Sequence, residues 1–573
     1  MVAFRYSYAP LDASDGIRLL SLLPGDGHAS IEVEIFHTTL GTHPAYEALS
    51  YAWGKADFAY EVSTGSSSLA VSTNLYEALQ RLRRPDVKRV MWIDALCINQ
   101  ADVAERSCQV GKMRDIYRGA ELVVVWIGEE SATSTRAIDF IRLMGNENPD
   151  PSVGAEKKTC YPRAHIQYGW PILFPNYWYW SYAGWSSNED WETLDELVAR
   201  PWWSRTWVVQ EVWSARKVIL QCGAAIIRWR TIQEALNYSE AWDDMGQTLL
   251  ESGNTARLEK WKTLKRRWGL ALHIAHERVN GRGLSDVLWN TWDRDAADPR
   301  DKVFAALELI ADETRPHMHA DYTKPMVEVY KEAARNIIDL EDHMDILLAA
   351  NGLSRTDGLP SWVPDWRQEA NDHRPTLFVN RDRLFQSYYT GSTSNIVATE
   401  CGFGAAGRRR PKYEFDDDVL RVSAVLVDSI MGLTPTFQVD PDPPLWEIDN
   451  SWRDKEPAGV EESLQRGISE AVQLAATATA TPATDRGLQE KVLRVLAAGW
   501  RKDSARNIAR NVMRRRRFFV TGGNRLCIGP HEAEKGDEVW IIGGCNYPII
   551  LRKNSMNGHY GLVGEAYGEL ATL

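Results

Sequence analysis

Lys88 to Gly128 reads KRVMWIDALCINQADVAERSCQVGKMRDIYRGAELVVVWIG and passes from strand to helix and back to strand. KRVMWID (Lys88–Asp94) is a short strand pattern with a central apolar run. Asp102, with Glu105 three residues later, makes a capping-box-like start for a helix expected through Tyr117, with Val103, Val110, Met113 and Tyr117 on one face. LVVVWI (Leu122–Ile127) has no polar interruption, which is the pattern of a strand buried on both faces of a parallel sheet. Working outward, Tyr46–Trp53 (YEALSYAW) is a further strand ended by Gly54. Thr73 and Asn74 open a helix whose Leu75, Ala78, Leu79 and Leu82 share a face. Ile31–His37 alternates like an antiparallel strand. The strand–helix alternation from 46 to 128 predicts consecutive parallel strands in a doubly wound α/β sheet with helices on both faces.

Beyond residue 145 the pattern dissolves into Pro, Asn, Tyr and Trp up to about residue 190, an insertion too aromatic for a solvated linker. Periodicity returns at Trp191–Arg200 and Ser204–Ser214, followed by a strand at Val218–Cys222, expected beside Leu122–Ile127. A mostly helical middle begins at Thr231. GAAGRRRPK (404–412) and ATATATPAT (475–484) read as low-complexity breaks. From Arg517, RFFVT, RLCIG, EVWII, PIILR and YGLVG form short strands punctuated by Gly-Gly pairs, as in a small antiparallel module. The expected divisions are an extension over 1–45, the α/β domain over 46–225 with the insertion at 146–190, a helical region over 226–400, a mixed region over 401–516 and the β module over 517–573.

Composition narrows the chemistry. A net charge of −12 argues against general binding to nucleic acid. No apolar run approaches the roughly 18 residues of a membrane span, and the N-terminus lacks a secretory pattern. Seven scattered cysteines read as reduced thiols of a cytoplasmic protein. Arg514–Arg517 is better read as a solvated helix end than as a nuclear-import patch. There is no phosphate-binding GxxxxGK[ST], no GxSxG and no HExxH; His531-Glu532 meets Lys535 where a second histidine would be needed. No metal site or tightly bound cofactor is expected. Any catalysis would rest on carboxylates, aromatics and backbone donors, and the 24 tryptophans supply core bulk or stacking surface.

Three blocks, YEALSYAWG (46–54), Trp92–Gly128 and RPWWSRTWVVQEV (200–212), resemble the heterokaryon incompatibility (HET) domain of filamentous fungi. DPRDKVFAALEL (298–309), LPSWVPDW (359–366) and the FFVTGGNRLCIG…GDEVWIIGGCNYPIILR ending resemble the segments usually found C-terminal to that domain. The resemblance implies an effector of cell death after non-self recognition, with another incompatibility protein or a second copy as partner. HET domains are in turn distantly similar to TIR domains, some of which cleave NAD, so a flavodoxin/TIR-like sheet and NAD as substrate are implied. Their shared features are a strand rich in Ser and aromatics and a Trp-x-x-x-Glu, here Trp207 and Glu211.

These readings select the candidate residues. Glu211 is a carboxylate that could stabilise oxocarbenium charge, as in glycosidases, or a surface partner of Arg205 or Arg216. Asp94 ends a central strand, where open sheets place ligands; it could bond a ribose hydroxyl, orient Glu211, or satisfy the amides of Leu96 and Cys97. Asn99 and Gln100 close the same loop. Ser50, Trp53 and Gly54 end the first central strand on the same edge, Trp53 being either a stacking surface or core. Asp94 and Glu211, over a hundred residues apart, are expected in one cleft. Cys97 reads as a buried apolar residue rather than a nucleophile. The alternative to an enzyme is an adaptor that works by self-association.

Overall fold

The computed structural model describes residues 4–145 except 12–14, 27–28 and 55–56; then 188–236, scattered residues of 260–274, 283–310, 317–350, 358–367, 411–437, 458–497, 509, 512–513 and 515–568. The chain divides into two units, one made of residues 1–282, 294–312 and 319–324, the other of the remainder.

In the first unit the strands are β1 (Phe4–Arg5), β2 (Gly16–Leu22), β3 (Val33–Thr39), β4 (Glu47–Tyr51), β5 (Tyr60–Thr64), β6 (Ser67–Val71), β7 (Arg89–Trp92), β8 (Leu122–Trp126), β9 (Val218–Cys222) and β10 (Ala225–Arg228). Seven of them form one sheet in the order β10-β9-β8-β4-β7-β2-β3. β9, β8, β4 and β7 are mutually parallel; β10 runs antiparallel beside β9 at one edge, and β2 and β3 add two successive antiparallel strands beside β7 at the other. Val123–Trp126 is fully buried, as an apolar strand enclosed on both faces requires, and β9 pairs beside it at Val123↔Val218. The sheet is therefore mixed around a parallel core rather than wholly parallel. In chain order the core strands run 2-1-3-4, an order that opens a crevice at the C-terminal ends of the first and third, β4 and β8.

The helix Thr73–Leu82 buries Leu75, Ala78, Leu79 and Leu82, and its cap is Ser72, which accepts from the Leu75 amide. Asp102 caps its helix by accepting from the amides of Ala104 and Glu105. Glu105 does not complete the box, because its carboxylate pairs with buried Arg18. The helix expected through Tyr117 is two, Val103–Val110 and Met113–Gly119, broken at Gly111-Lys112, and this leaves Val103 exposed. Between β4 and Thr73, where no strand was expected, β5 and β6 form a hairpin about Gly65-Ser66, Gly65 having φ +60°. With β1 they make a separate three-stranded sheet. The helices Ala132–Met144 and Asn188–Val198 pack together on either side of residues 146–187. Phe140 and Trp191 meet edge to face at 5.0 Å, and Arg136 pairs with Asp190 at 2.6 Å. Gly145, at the exit of the first helix, lies so close to the Thr231 carbonyl that a Cβ would stand 2.2 Å from it.

The second unit holds β11 (Tyr413–Asp416), β12 (Val419–Val422), β13 (Ala424–Leu433), β14 (Arg516–Thr521), β15 (Leu526–Pro530), β16 (Glu538–Ile542), β17 (Ile549–Lys553), β18 (Tyr560–Glu565) and β19 (Tyr567–Gly568). All five strand patterns of the ending are strands of one antiparallel sheet, β18-β17-β16-β13-β14-β15-β19. Its centre is β13, drawn from residues 424–433, well before the module's expected start. The helices Ala458–Thr479 and Arg486–Leu496 pack on β14 and β15, with Phe518, Val520, Leu526 and Ile528 in the shared core. Of the expected break at 475–484, AATAT (475–479) is the last turn and a half of the first of these helices, and only residues 480–484 form the connection to the second, turning at Ala480 with φ +52°. Alanine is the best helix former, and Thr477 and Thr479 return their hydroxyls to the carbonyls of Gln473 and Ala475. Residues 404–410 lie outside those described. Within LPSWVPDW, Trp366 is buried against Tyr330 and Trp292. No described helix is long and apolar enough to cross a membrane.

Candidate functional site

Ser50, one residue before the end of β4, is fully buried. Its hydroxyl donates to a Glu211 carboxylate oxygen and accepts from the Trp202 indole at 2.8 Å. Glu211 lies in the first turn of the helix Val208–Ser214 and is 2% exposed. Its amide bonds to the Trp207 carbonyl at 3.1 Å. It is therefore no surface partner of Arg216. Burial pushes its carboxyl up to about 7; Arg205 and the Ser50 hydroxyl pull it down, while Asp94 adds to the rise.

Asp94 follows β7 on the same edge of the sheet. It accepts from the Trp53 indole at 2.7 Å and from the Ala95 amide at 2.7 Å, and the Tyr51 hydroxyl bonds to it. The amides of Leu96 and Cys97, considered as its turn partners, go instead to the Ile93 carbonyl. Burial raises its carboxyl against the pull of Arg205, Trp53, Ala95 and Tyr51. Arg205, half-buried, donates to the Tyr51 carbonyl and acts on both carboxyls. The two acids thus share one cation and one electrostatic neighbourhood. Such pairs are enriched where proton transfer or charge stabilisation occurs.

Trp53, 40% exposed, is no core residue and presents its ring to solvent above Asp94. Gly54 turns the chain at φ +73°, and Asn74 ties that turn by donating to the Ala52 carbonyl at 2.6 Å and accepting from Trp126 at 3.0 Å. Two candidates make structural bonds, one local and one long-range. The Asn99 side chain accepts from the Ala101 amide, and the indole N–H of Trp207 goes to Asp301. Gln100 donates to the Asp94 carbonyl at 3.0 Å. Cys97 is buried, its thiol pushed up to about 12 by desolvation, so it is no nucleophile. Beside Glu211, neither amide atom of fully buried Gln210 has a hydrogen-bond partner among the described residues. Sequence reading missed Trp202, Tyr51 and Asn74 and placed Arg205 on the surface. The RPWWSRTW run was a signal for the first and last, since it clusters large aromatics about one cation.

The Glu211 carboxyl is raised in the folded state, so the folded protein holds its proton more tightly than the unfolded chain. Stability is unaffected below about pH 4.5, falls as pH rises from there to about 7, and stays reduced above it. Glu211→Gln removes the burden and keeps an acceptor for Ser50. It should exceed the wild type by about 1–3 kcal/mol at pH 8.5 and by nothing at pH 4.5, read from urea unfolding midpoints at the two pH values.

The region from Tyr46 to Glu211 thus contains both ends of this network. Residues 46–211 match the heterokaryon incompatibility protein (HET) family. The chain is also 26% identical over 414 residues to heterokaryon incompatibility protein 6, OR allele, of Neurospora crassa, a match covering 63% of this chain and 59% of that protein. The chain therefore spans less than two thirds of the relative it matches. No solved structure matches it. Within the HET region, Ser50, Arg205 and Glu211 come from its two ends and meet at one sheet edge.

Proposed function

We propose that the protein acts in heterokaryon incompatibility by cleaving the N-glycosidic bond of NAD at the Ser50–Glu211 edge of its HET region, in the cytoplasm. The buried Glu211 carboxyl, bonded to Ser50 and sharing Arg205 with Asp94, carries this reading. The bond between C1′ and the nicotinamide nitrogen breaks with its electron pair, which leaves neutral nicotinamide and positive charge on the ribose. Glu211 stabilises that charge as a carboxylate. Water adds to C1′ and releases a proton. Trp53 offers a ring for stacking at the mouth, and Asp94, tied to Trp53 and Tyr51, orients the ribose. The Trp207–Glu211 spacing, which resembles NAD-cleaving TIR domains, supports the assignment.

The burial of Glu211 also favours a second reading, in which the Ser50–Glu211–Trp202 network ties β4 to its helix and the HET region works by association with a second copy or another incompatibility protein. Incubating the purified full chain with NAD and measuring free nicotinamide decides between them. Release should increase as pH rises through about 7, because the charged form of Glu211 is the active one. Release no faster than in buffer at every pH leaves the association reading.

A further inference from the structure

DPRDKVFAALEL lies beyond the HET match, yet in the first unit its opening residues and the Arg294-Asp295 pair just before it hold the chain that carries Arg205 and Glu211. Asp295 brackets Arg205: its amide donates to the Ser204 carbonyl at 2.7 Å, and its carbonyl accepts from the Thr206 amide at 2.9 Å and the Thr206 hydroxyl at 3.0 Å. Arg205 and Asp295 are thereby bridged like neighbouring strands. Buried Arg294 donates to the Trp203 carbonyl at 3.1 Å, and Lys302 donates back to the Arg294 carbonyl. Asp301 accepts from the Trp207 indole and, at 2.6 Å, from the Tyr322 hydroxyl. Two guanidinium groups lie over the Tyr322 ring, that of Arg106 at 4.0 Å and that of Arg300 at 5.2 Å from its centre. Asp298 holds Arg300 through two oxygens, at 2.7 and 2.9 Å. Trp207 in turn supplies the carbonyl to which the Glu211 amide bonds. One short segment therefore fixes the backbone of the site's cation and, through one indole, the first turn that presents its buried acid.

We infer that residues 294–302, with Tyr322, complete the site, with Asp301 as the positioning residue that sets Glu211 through Trp207, so that residues 46–211 alone are not a working unit. The inference rests on the proposed catalytic role of Glu211. Carboxylates that must match a developing charge lose most of their effect when displaced by about 1 Å, and a bond from a fixed aspartate to the residue that opens the helix sets that placement. Asparagine keeps the acceptor; alanine removes it.

The test uses the full chain with Asp301→Ala and Asp301→Asn and two readouts. Nicotinamide release should lose at least tenfold in kcat in Asp301→Ala, with KM within about twofold, and recover to at least half in Asp301→Asn. Amide hydrogen exchange, followed by mass spectrometry, should accelerate at least tenfold in peptides covering 201–214 of Asp301→Ala while those covering 122–126 keep the wild-type rate, and Asp301→Asn should restore it. Unchanged exchange over 201–214, or equal acceleration in both regions, overturns the inference. A wild-type protein that releases no nicotinamide overturns the catalytic reading, and the exchange arm then still decides whether Asp301 sets this helix. If Asp301→Ala fails to fold, Tyr322→Phe, which deletes one bond to the same carboxylate, takes its place; wild-type kcat and wild-type exchange over 201–214 in that variant count against the inference.

Discussion

Glu211→Gln is expected to fold as the wild type does and to release nicotinamide from NAD about 10³-fold more slowly, the size of effect seen when a group that stabilises transition-state charge is lost. The substitution is chosen for what it keeps. An amide oxygen still accepts from the Ser50 hydroxyl, and Trp202 still donates to Ser50, so the packing between β4 and the helix survives. Only the negative charge is gone. Glu211→Ala also removes the acceptor, leaving a buried Ser50 hydroxyl unpaired on one side at about 1–3 kcal/mol; it should abolish both release and cell killing. Killing at full strength with unchanged cellular NAD in Glu211→Ala would refute the catalytic reading. The two variants also separate charge from packing: a rate lost in alanine and kept in glutamine would mean that Glu211 acts through shape.

The largest effect on stability is expected at Arg18. Its side chain is completely buried and binds both oxygens of Glu105, at 2.5 and 2.9 Å, together with the carbonyls of Cys97 at 3.1 Å and Ala9 at 2.6 Å. Glu105 also accepts from the Asn99 amide at 2.7 Å. Arg18→Met leaves that carboxylate enclosed without its cation, and breaking a buried pair from one side costs about 3–5 kcal/mol. The sign with pH is set by Glu105. Arg18 and the Asn99 amide outweigh burial and hold the Glu105 carboxyl below its ordinary value of 4.5. The pair's contribution is therefore present above pH 4.5 and lost as pH falls through the lowered value. Urea unfolding at pH 7 and pH 3 should show a large gap between wild type and Arg18→Met that narrows in acid. A constant gap would mean that the arginine stem, rather than the ion pair, supplies the stability.

Elements whose apolar pattern had a single solution were legible in the sequence. Leu122–Trp126 is too uniformly aliphatic for any place but the middle of a sheet, and Leu75, Ala78, Leu79 and Leu82 allow one helical face. Other elements escaped for physical reasons. The β5–β6 hairpin lies over serines and threonines with exposed faces, so no apolar alternation marks it; its Gly65-Ser66 turn was the usable signal. The alanine–threonine run reads as low complexity on composition, while the helix preference of alanine carries the helix through Thr479 and leaves the break to residues 480–484. β13 was missed because a strand's partners are set by chain far away, here nearly a hundred residues. The site was legible at its strand ends, since topology puts ligands there. Glu211 itself was singled out through family resemblance. Burial decides between a surface carboxylate and a functional one, and no spacing in RPWWSRTWVVQEV reveals that its arginine and glutamate turn inward.

The helix pair around residues 146–187 has a use beyond architecture. Because Phe140 meets Trp191 and Arg136 meets Asp190, the two helices that bracket residues 146–187 in sequence are fastened directly to each other. The entropy of closing a loop grows only with the logarithm of its length, about 0.6 kcal/mol per doubling. The joint thus acts as a staple across that stretch of the sequence. With the two helices fastened, a change in the number of residues between them alters the closure entropy by that logarithm.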